Sequence, residues 1–196
     1  MTFTSLRLTS AGHVPLFEGH VRRLGESSRD ALRHFVSLAA EGVYRVWWDG
    51  RQLTTQHRAA SQLRDGIGVR FAVSPYAAQS GRFAKPASPC PYDAVRAEGV
   101  VTLLTDASGD ELLEADRAAL VAWDGASLVL VPDEVPGVAS VAEAEVLARL
   151  PHRRARILRR DGWPLLLINA VIGTCAPAEC GSFPADQRAA LEAVLR

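Results

Sequence analysis

Apolar and polar residues alternate from Phe3 to Leu8, the period-two pattern of a half-buried strand, and a turn at Ala11-Gly12 predicts a second short strand through Phe17 that closes a hairpin. From Glu18 the period changes. Val21, Leu24, Ser28, Ala31, Leu32, Phe35 and Leu38 recur at helical spacing, with Arg22, Arg23, Arg29 and Arg33 among them, so one or two helices run to about Ala40. Gly42 to Trp48, Asp49-Gly50 and Arg51 to His57 predict a further hairpin, because Asp-Gly supplies the positive φ angles of a two-residue turn. Adjacent Trp47 and Trp48 must point to opposite faces of their strand, which puts at least one in a core or a dimer surface. A strand over Ile67 to Ser74 follows.

Tyr76 to Arg82 is small, polar and glycine-containing, the composition of an inter-domain linker. Beyond it, a prolyl loop (Pro86, Pro89, Pro91) precedes a short helix near Tyr92 to Glu98. Strands are predicted at Val100 to Thr105, Leu112 to Ala115, Ala118 to Trp123 and, after Asp124-Gly125, Leu128 to Val131. Val141 to Leu150 is helical, Trp163 to Asn169 is a nearly continuous apolar strand, and Pro184 to Leu195 begins with a proline suited to a first helical turn. Short antiparallel strands mixed with helices in both halves predict an α+β protein of two small domains, residues 1–76 and 85–196, joined by a linker at 77–84.

With 196 residues, 48% of them hydrophobic, the chain can bury a core without disulfides or metals. Twenty-two basic and 22 acidic side chains cancel, so no field of one sign exists to recruit nucleic acid or an anionic membrane. No stretch of 18 apolar residues occurs, and Met1 to Ser10 lacks the pattern of a signal peptide, so the expected compartment is the cytoplasm. Cys90, Cys175 and Cys180 lack a partner pair to complete a zinc site, and the five histidines do not fall at metal-ligand spacings; no metal is expected. The five arginines between His152 and Arg160 read as an exposed charged face. Of the 22 basic residues 21 are arginine, and Lys85 is the single lysine. Amine chemistry needs lysine rather than arginine, and here one position alone offers a side-chain amine.

Several short motifs occur in an order that resembles the class IV family of pyridoxal-phosphate aminotransferases and 4-amino-4-deoxychorismate lyases. Phe3-Thr4-Ser5-Leu6-Arg7, Gly12 and His20-Val21-Arg22-Arg23-Leu24 are similar to the family's opening, in which the arginine of H-x-x-R-L holds the cofactor phosphate; Arg23 has that position. Lys85, followed by Tyr92-Asp93-Ala94-Val95-Arg96, resembles the lysine that the family bonds to pyridoxal phosphate and uses to move protons at the substrate α-carbon. Glu114-Ala115-Asp116-Arg117-Ala118-Ala119-Leu120 is similar to a motif whose glutamate pairs with the pyridine nitrogen, with Ala119 where the family has asparagine; Glu114 is the candidate and Asp116, two residues on, could exchange with it. Pro136-Gly137-Val138-Ala139-Ser140 resembles the G-[IV]-T-R turn, so Gly137 and Val138 would offer backbone amides to phosphate although the threonine and arginine are missing. Leu167-Ile168-Asn169-Ala170-Val171-Ile172-Gly173, with Pro177, is similar to the N-[SA]-x-x-G-x-x-P segment, which assigns Asn169 and Ala170 to the phosphate and substrate pocket.

The resemblance implies a D-amino-acid-aminotransferase-like fold with an abbreviated first domain and pyridoxal 5'-phosphate as a weakly held cofactor. It further implies a small amino compound as substrate and a homodimer. Lys85 and Glu114 would be the catalytic residues; Arg23, Lys85, Glu114, Gly137, Val138, Asn169 and Ala170 would bind cofactor. A lyase and a transaminase are both open. So is a non-catalytic binding or interaction protein, in view of the missing asparagine, threonine and arginine.

Overall fold

The computed structural model describes residues 2–59, 63–84 and 90–196. Its elements in chain order are β1 (Thr2–Leu8), α1 (Phe17–Leu24), α2 (Arg29–Leu38), β2 (Gly42–Trp48), β3 (Leu53–Arg58), β4 (Gly68–Val73), β5 (Arg82–Phe83), β6 (Val100–Thr105), β7 (Glu111–Ala115), β8 (Ala119–Trp123) and β9 (Leu128–Leu130). Then come β10 (Gly137–Val138), α3 (Val141–Arg149), β11 (His152–Arg154), β12 (Ile157–Leu158), β13 (Leu165–Asn169), β14 (Gly173–Cys175) and α4 (Ala185–Leu195). The mixture of sheets and helices is the α+β class expected.

β1 does not form the hairpin read from the sequence. It pairs antiparallel along its whole length with β2, from Thr2 opposite Trp48 to Leu8 opposite Gly42, and β3 completes a three-stranded sheet. The segment expected to return as a strand contains Pro15, which has no N–H for a ladder, and Leu16 at φ 57, a left-handed residue that turns the chain into α1 at Phe17. Leu6, Leu8, Val46 and Trp48 pack with Val21, Leu24 and Leu32 of the two helices. Trp48 is thus core, whereas Trp47, half-buried on the other face, packs near Phe3 and under the Arg45 guanidinium.

The larger body is a five-stranded sheet in the order β11-β9-β8-β13-β14, whose central strands β9, β8 and β13 are buried on both faces. Leu120, Ala122, Leu165 and Leu167 face a second sheet, β12-β7-β6-β4. Their neighbours Val121, Leu166 and Ile168 face α3 and α4 through Ala142, Val146 and Leu191. A strand covered on both faces has no polar side to show, which is why the stretch ending at Asn169 reads as continuously apolar. β4 pairs in parallel with β6, so backbone pairing spans the Tyr76–Arg82 segment, and Gly81 N–H donates to the Glu134 carbonyl at 2.8 Å.

The arginine run after α3 is largely paired. Arg153 bonds Asp124, Arg154 bonds Asp133 and Arg156 bonds Glu111, while Arg159 stacks over Phe71. No helix among the described residues is long and apolar enough to cross a membrane.

Candidate active site

β1 and α1 on one side, and β7, β8, β10, α3 and the end of β13 on the other, enclose a pocket with about 620 Å³ of empty space, its open mouth included. The two sides meet because α1 lies almost in contact with the start of α3. A Cβ on Gly19 would fall 2.6 Å from Val141 Cγ1, so only glycine allows this approach. Arg22 on α1 bonds the buried Glu145 of α3, which also takes Arg149 at 3.1 Å. This contact carries Arg23 to the wall of the same pocket that Ser140 and Val141 line.

Arg23 forms no hydrogen bond or ion pair with any described residue, and burial pushes its pKa down to about 10. An unpaired, partly desolvated guanidinium favours an anion as its neighbour. The start of α3 offers a complementary surface. Ser140 caps the helix by accepting from Glu143 N–H at 3.3 Å, and both Ser140 and Val141 line the pocket. Amides at a helix start have no acceptor within the helix. The two amides just before the helix are already taken, since Val138 N–H donates to Glu114 Oε2 at 3.1 Å and Ala139 N–H to the Phe83 carbonyl at 2.9 Å. Gly137 and Val138 form the short strand β10, parallel to β5, and Val138 also lines the pocket.

Glu114, 5% exposed near the end of β7, stands on the pocket wall. Burial pushes its carboxyl pKa up to about 7, against the opposing pull of the Tyr92 hydroxyl, the Val138 amide and Arg82. Tyr92 donates to Glu114 Oε1, and its phenol is raised far above its usual range by burial and by the neighbouring carboxylate. Asp116 also lines the pocket, but it accepts from Thr102 N–H at 3.3 Å and lies 3.1 Å from Arg117 Nε; burial raises its pKa as well. Both carboxyls therefore reach the pocket, and Asp116 is the one held by a charged partner.

Asn169 and Ala170 line the pocket at the end of β13. Asn169 fixes local backbone: its Nδ2 donates to the Arg117 carbonyl at 2.6 Å, and its Oδ1 accepts from Val171 N–H at 2.6 Å. The side chain thus ties the turn that carries Asp116 and Arg117 to the turn that carries Ala170. Lys85 lies outside the described residues; the described chain runs to Ala84, just past Arg82 and Phe83.

His20 and Tyr92 are among the pocket residues that received no role from the sequence. His20, fully buried, shares a 2.7 Å hydrogen bond with Thr4 Oγ1, and burial together with nearby Arg23 pushes its pKa down to about 3 against a smaller effect of the Pro15 carbonyl. It is a neutral tie between α1 and β1. Tyr92 also lines the pocket, from the single 3-10 turn Pro91–Ala94 that stands where a short helix over Tyr92 to Glu98 was expected. Both sit inside quoted motifs, so their positions were visible but their partners were not. No group of three or more His, Cys, Asp and Glu side chains suited to a metal ion occurs among the described residues.

No family model matches the chain, and no curated protein matches its sequence. Solved structures do match its fold. The 4-amino-4-deoxychorismate lyase from Pseudomonas aeruginosa aligns over 100% of this chain and 89% of its own, with TM-score 0.68 and 18% identity. A hypothetical aminotransferase from Mycobacterium tuberculosis, in a pyridoxal-phosphate-bound form, aligns over 99% and 88%, with TM-score 0.64 and 16% identity. The fold IV transaminase from Curtobacterium pusillum aligns over 99% and 83%, with TM-score 0.65 and 17% identity. This chain is the shorter one in each pair.

Proposed function

We propose that this chain, which has the class IV pyridoxal-phosphate aminotransferase fold, is a pyridoxal-phosphate enzyme acting on a small amino compound, of the aminodeoxychorismate lyase or aminotransferase type. The observation that carries the reading is the convergence, in one pocket, of an arginine with no bonded partner among the described residues, a helix start and a buried carboxyl. These residues fit the cofactor's two ends. Arg23 and the amides at the start of α3 would hold the phosphate, and Glu114 would face the ring nitrogen. When bound, the cofactor supplies an electron sink for charge developing at the substrate α-carbon.

The chain's own groups would do the rest. Lys85, the only side-chain amine, would take the proton from the substrate α-carbon and return one, the role implied by its resemblance to the family lysine. Glu114, as a carboxylate, would accept a hydrogen bond from the protonated ring nitrogen and so keep it positively charged; Tyr92 would hold the carboxyl in place. Thr4 and Ser5 would shape the substrate side from β1. The lyase is preferred, because Asn169-Ala170 resembles that branch. A homodimer is part of this proposal, with the exposed Phe71 and Val73 of β4 available for burial.

A second reading keeps the fold as a binding protein. One observation favours it: the amides of Val138 and Ala139 already have acceptors, which leaves fewer donors for phosphate. Incubation with pyridoxal phosphate separates the two, since the enzyme should develop the near-visible absorbance of a lysine-bound cofactor and the binding protein should not.

A further inference from the structure

Behind Glu114, away from any role the resemblance assigns, lies a second buried charge pair. Arg82 of β5 donates through Nη2 to Glu143 of α3 at 2.7 Å and to the Val131 carbonyl at 3.4 Å. The two side chains are 14% and 6% exposed. An arginine in a small, polar connecting segment would ordinarily be solvated, and burying an ion pair adds little net stability because both partners lose water. Arg82 is nevertheless held inside, and its location is specific. A Cβ on Gly137 would fall 2.2 Å from Arg82 Nη1 and 3.6 Å from Glu114 Cδ, so the guanidinium and the carboxyl both border the one space that a side chain at 137 would fill. Glycine at 137 therefore serves a purpose apart from backbone amides: it leaves the gap through which Arg82 reaches the back of Glu114.

We propose that Arg82 is a positioning residue that keeps Glu114 available as a carboxylate, its guanidinium clamped by Glu143 and brought against the back of Glu114 through the gap at Gly137. Glu114 is surrounded by a small set of groups. Tyr92 and the Val138 amide donate to its two oxygens, Arg82 supplies the nearby positive charge, and Glu143 supplies the opposing negative one. Desolvation pushes the carboxyl toward its neutral form; the Arg82 charge works against that push and the Glu143 charge reinforces it. Glu143 has two opposite effects, since it anchors the arginine yet repels Glu114. The significance of this arrangement for the ring nitrogen rests on the function proposed above, but the charge arrangement itself needs no cofactor.

Two variants of the full-length, cofactor-free protein distinguish this electrostatic role from a merely structural clamp. The readout is the ¹³C titration of glutamate side-chain carboxyls, with the Glu114 signal identified by its loss in Glu114→Gln. In Glu143→Gln the amide oxygen can still accept from Arg82 while the repelling charge is gone, so the Glu114 midpoint should move down. In Arg82→Met/Glu143→Gln no buried charge is left unpaired, and the midpoint should lie above that of Glu143→Gln by about one to two pH units, the effect of one unit charge a few ångströms away. A structural clamp would act the other way, because loosening lets water reach Glu114 and lowers its midpoint toward that of an ordinary glutamate. A double-variant midpoint equal to or below that of Glu143→Gln would overturn the proposal. If the double variant does not fold, Glu143→Gln alone decides, since an unchanged or raised midpoint there would also overturn it. A failure of pyridoxal phosphate to bind, with these shifts intact, would count against the proposed function and leave the role of Arg82 standing.

Discussion

Gly19 of α1 lies so close to Val141 of α3 that a Cβ on the glycine would fall 2.6 Å from Val141 Cγ1. That approach joins the β1–α1 side of the pocket to the α3 side, so that Arg23 and the start of α3 line one pocket. Gly19→Ala would gain about 1 kcal/mol of helix propensity, but the overpacked methyl should cost about 1–3 kcal/mol. A net loss of up to about 2 kcal/mol is expected in urea unfolding, together with weaker binding of inorganic phosphate. A variant as stable as the parent with equal phosphate affinity would show that the close contact has no part in building the anion site.

Arg23 should trade stability for binding. It is the guanidinium in the pocket with no bonded partner among the described residues, and burial already depresses its pKa. Arg23→Met should leave the cofactor-free protein equally stable or more stable. It should also weaken pyridoxal phosphate binding by about 1.5–3 kcal/mol, roughly 10- to 150-fold. Parallel thermal unfolding and cofactor titration check both halves. A marked loss of stability would mean that Arg23 has a structural partner.

Glu114 makes a pH-dependent contribution with a definite sign. Its pKa is about 7 when folded, against an ordinary value of 4.5, so the native state holds a proton that the unfolded chain has released. Its contribution is fully present below about pH 4.5 and is lost as pH rises to about 7, amounting to about 3 kcal/mol. His20 acts oppositely. Its depressed pKa means that its contribution is present above about pH 6.5 and lost as pH falls toward 3. Because the two windows overlap, the comparison to make is between parent and Glu114→Gln, by urea unfolding across pH 4 to 8. The difference in stability should favour the variant increasingly up to about pH 7 and then level off. A difference independent of pH would contradict the raised carboxyl pKa.

Much of the fold was legible from periodicity. The two-sided apolar run of β13, the helical spacing of α1 and α2 and the Asp49-Gly50 turn between β2 and β3 all follow from side-chain patterns that need only local chain geometry. The partner of β1 was not legible, because strand pairing is a long-range choice, and Pro15 with Leu16 made the local signal for a hairpin misleading. Within the pocket, Glu114 could be singled out by its motif, but nothing local says that Val138 donates to it or that Arg82 lies behind it; those relations depend on the parallel pairing of β10 with β5. Arg82 in particular sits in a segment whose composition reads as a solvated linker.

Pyridoxal phosphate capture bears most directly on the proposed function. Lys85 is the only lysine in the chain, so besides the amino terminus it alone offers a primary amine to the cofactor aldehyde. The protein, incubated with saturating pyridoxal phosphate and reduced with borohydride, should carry the label on Lys85 when its peptides are mapped. In Lys85→Arg that label and the near-visible absorbance should both be absent. Labelling confined to the amino terminus, or no labelling at all, would contradict the enzyme and leave a protein that keeps the fold without its chemistry.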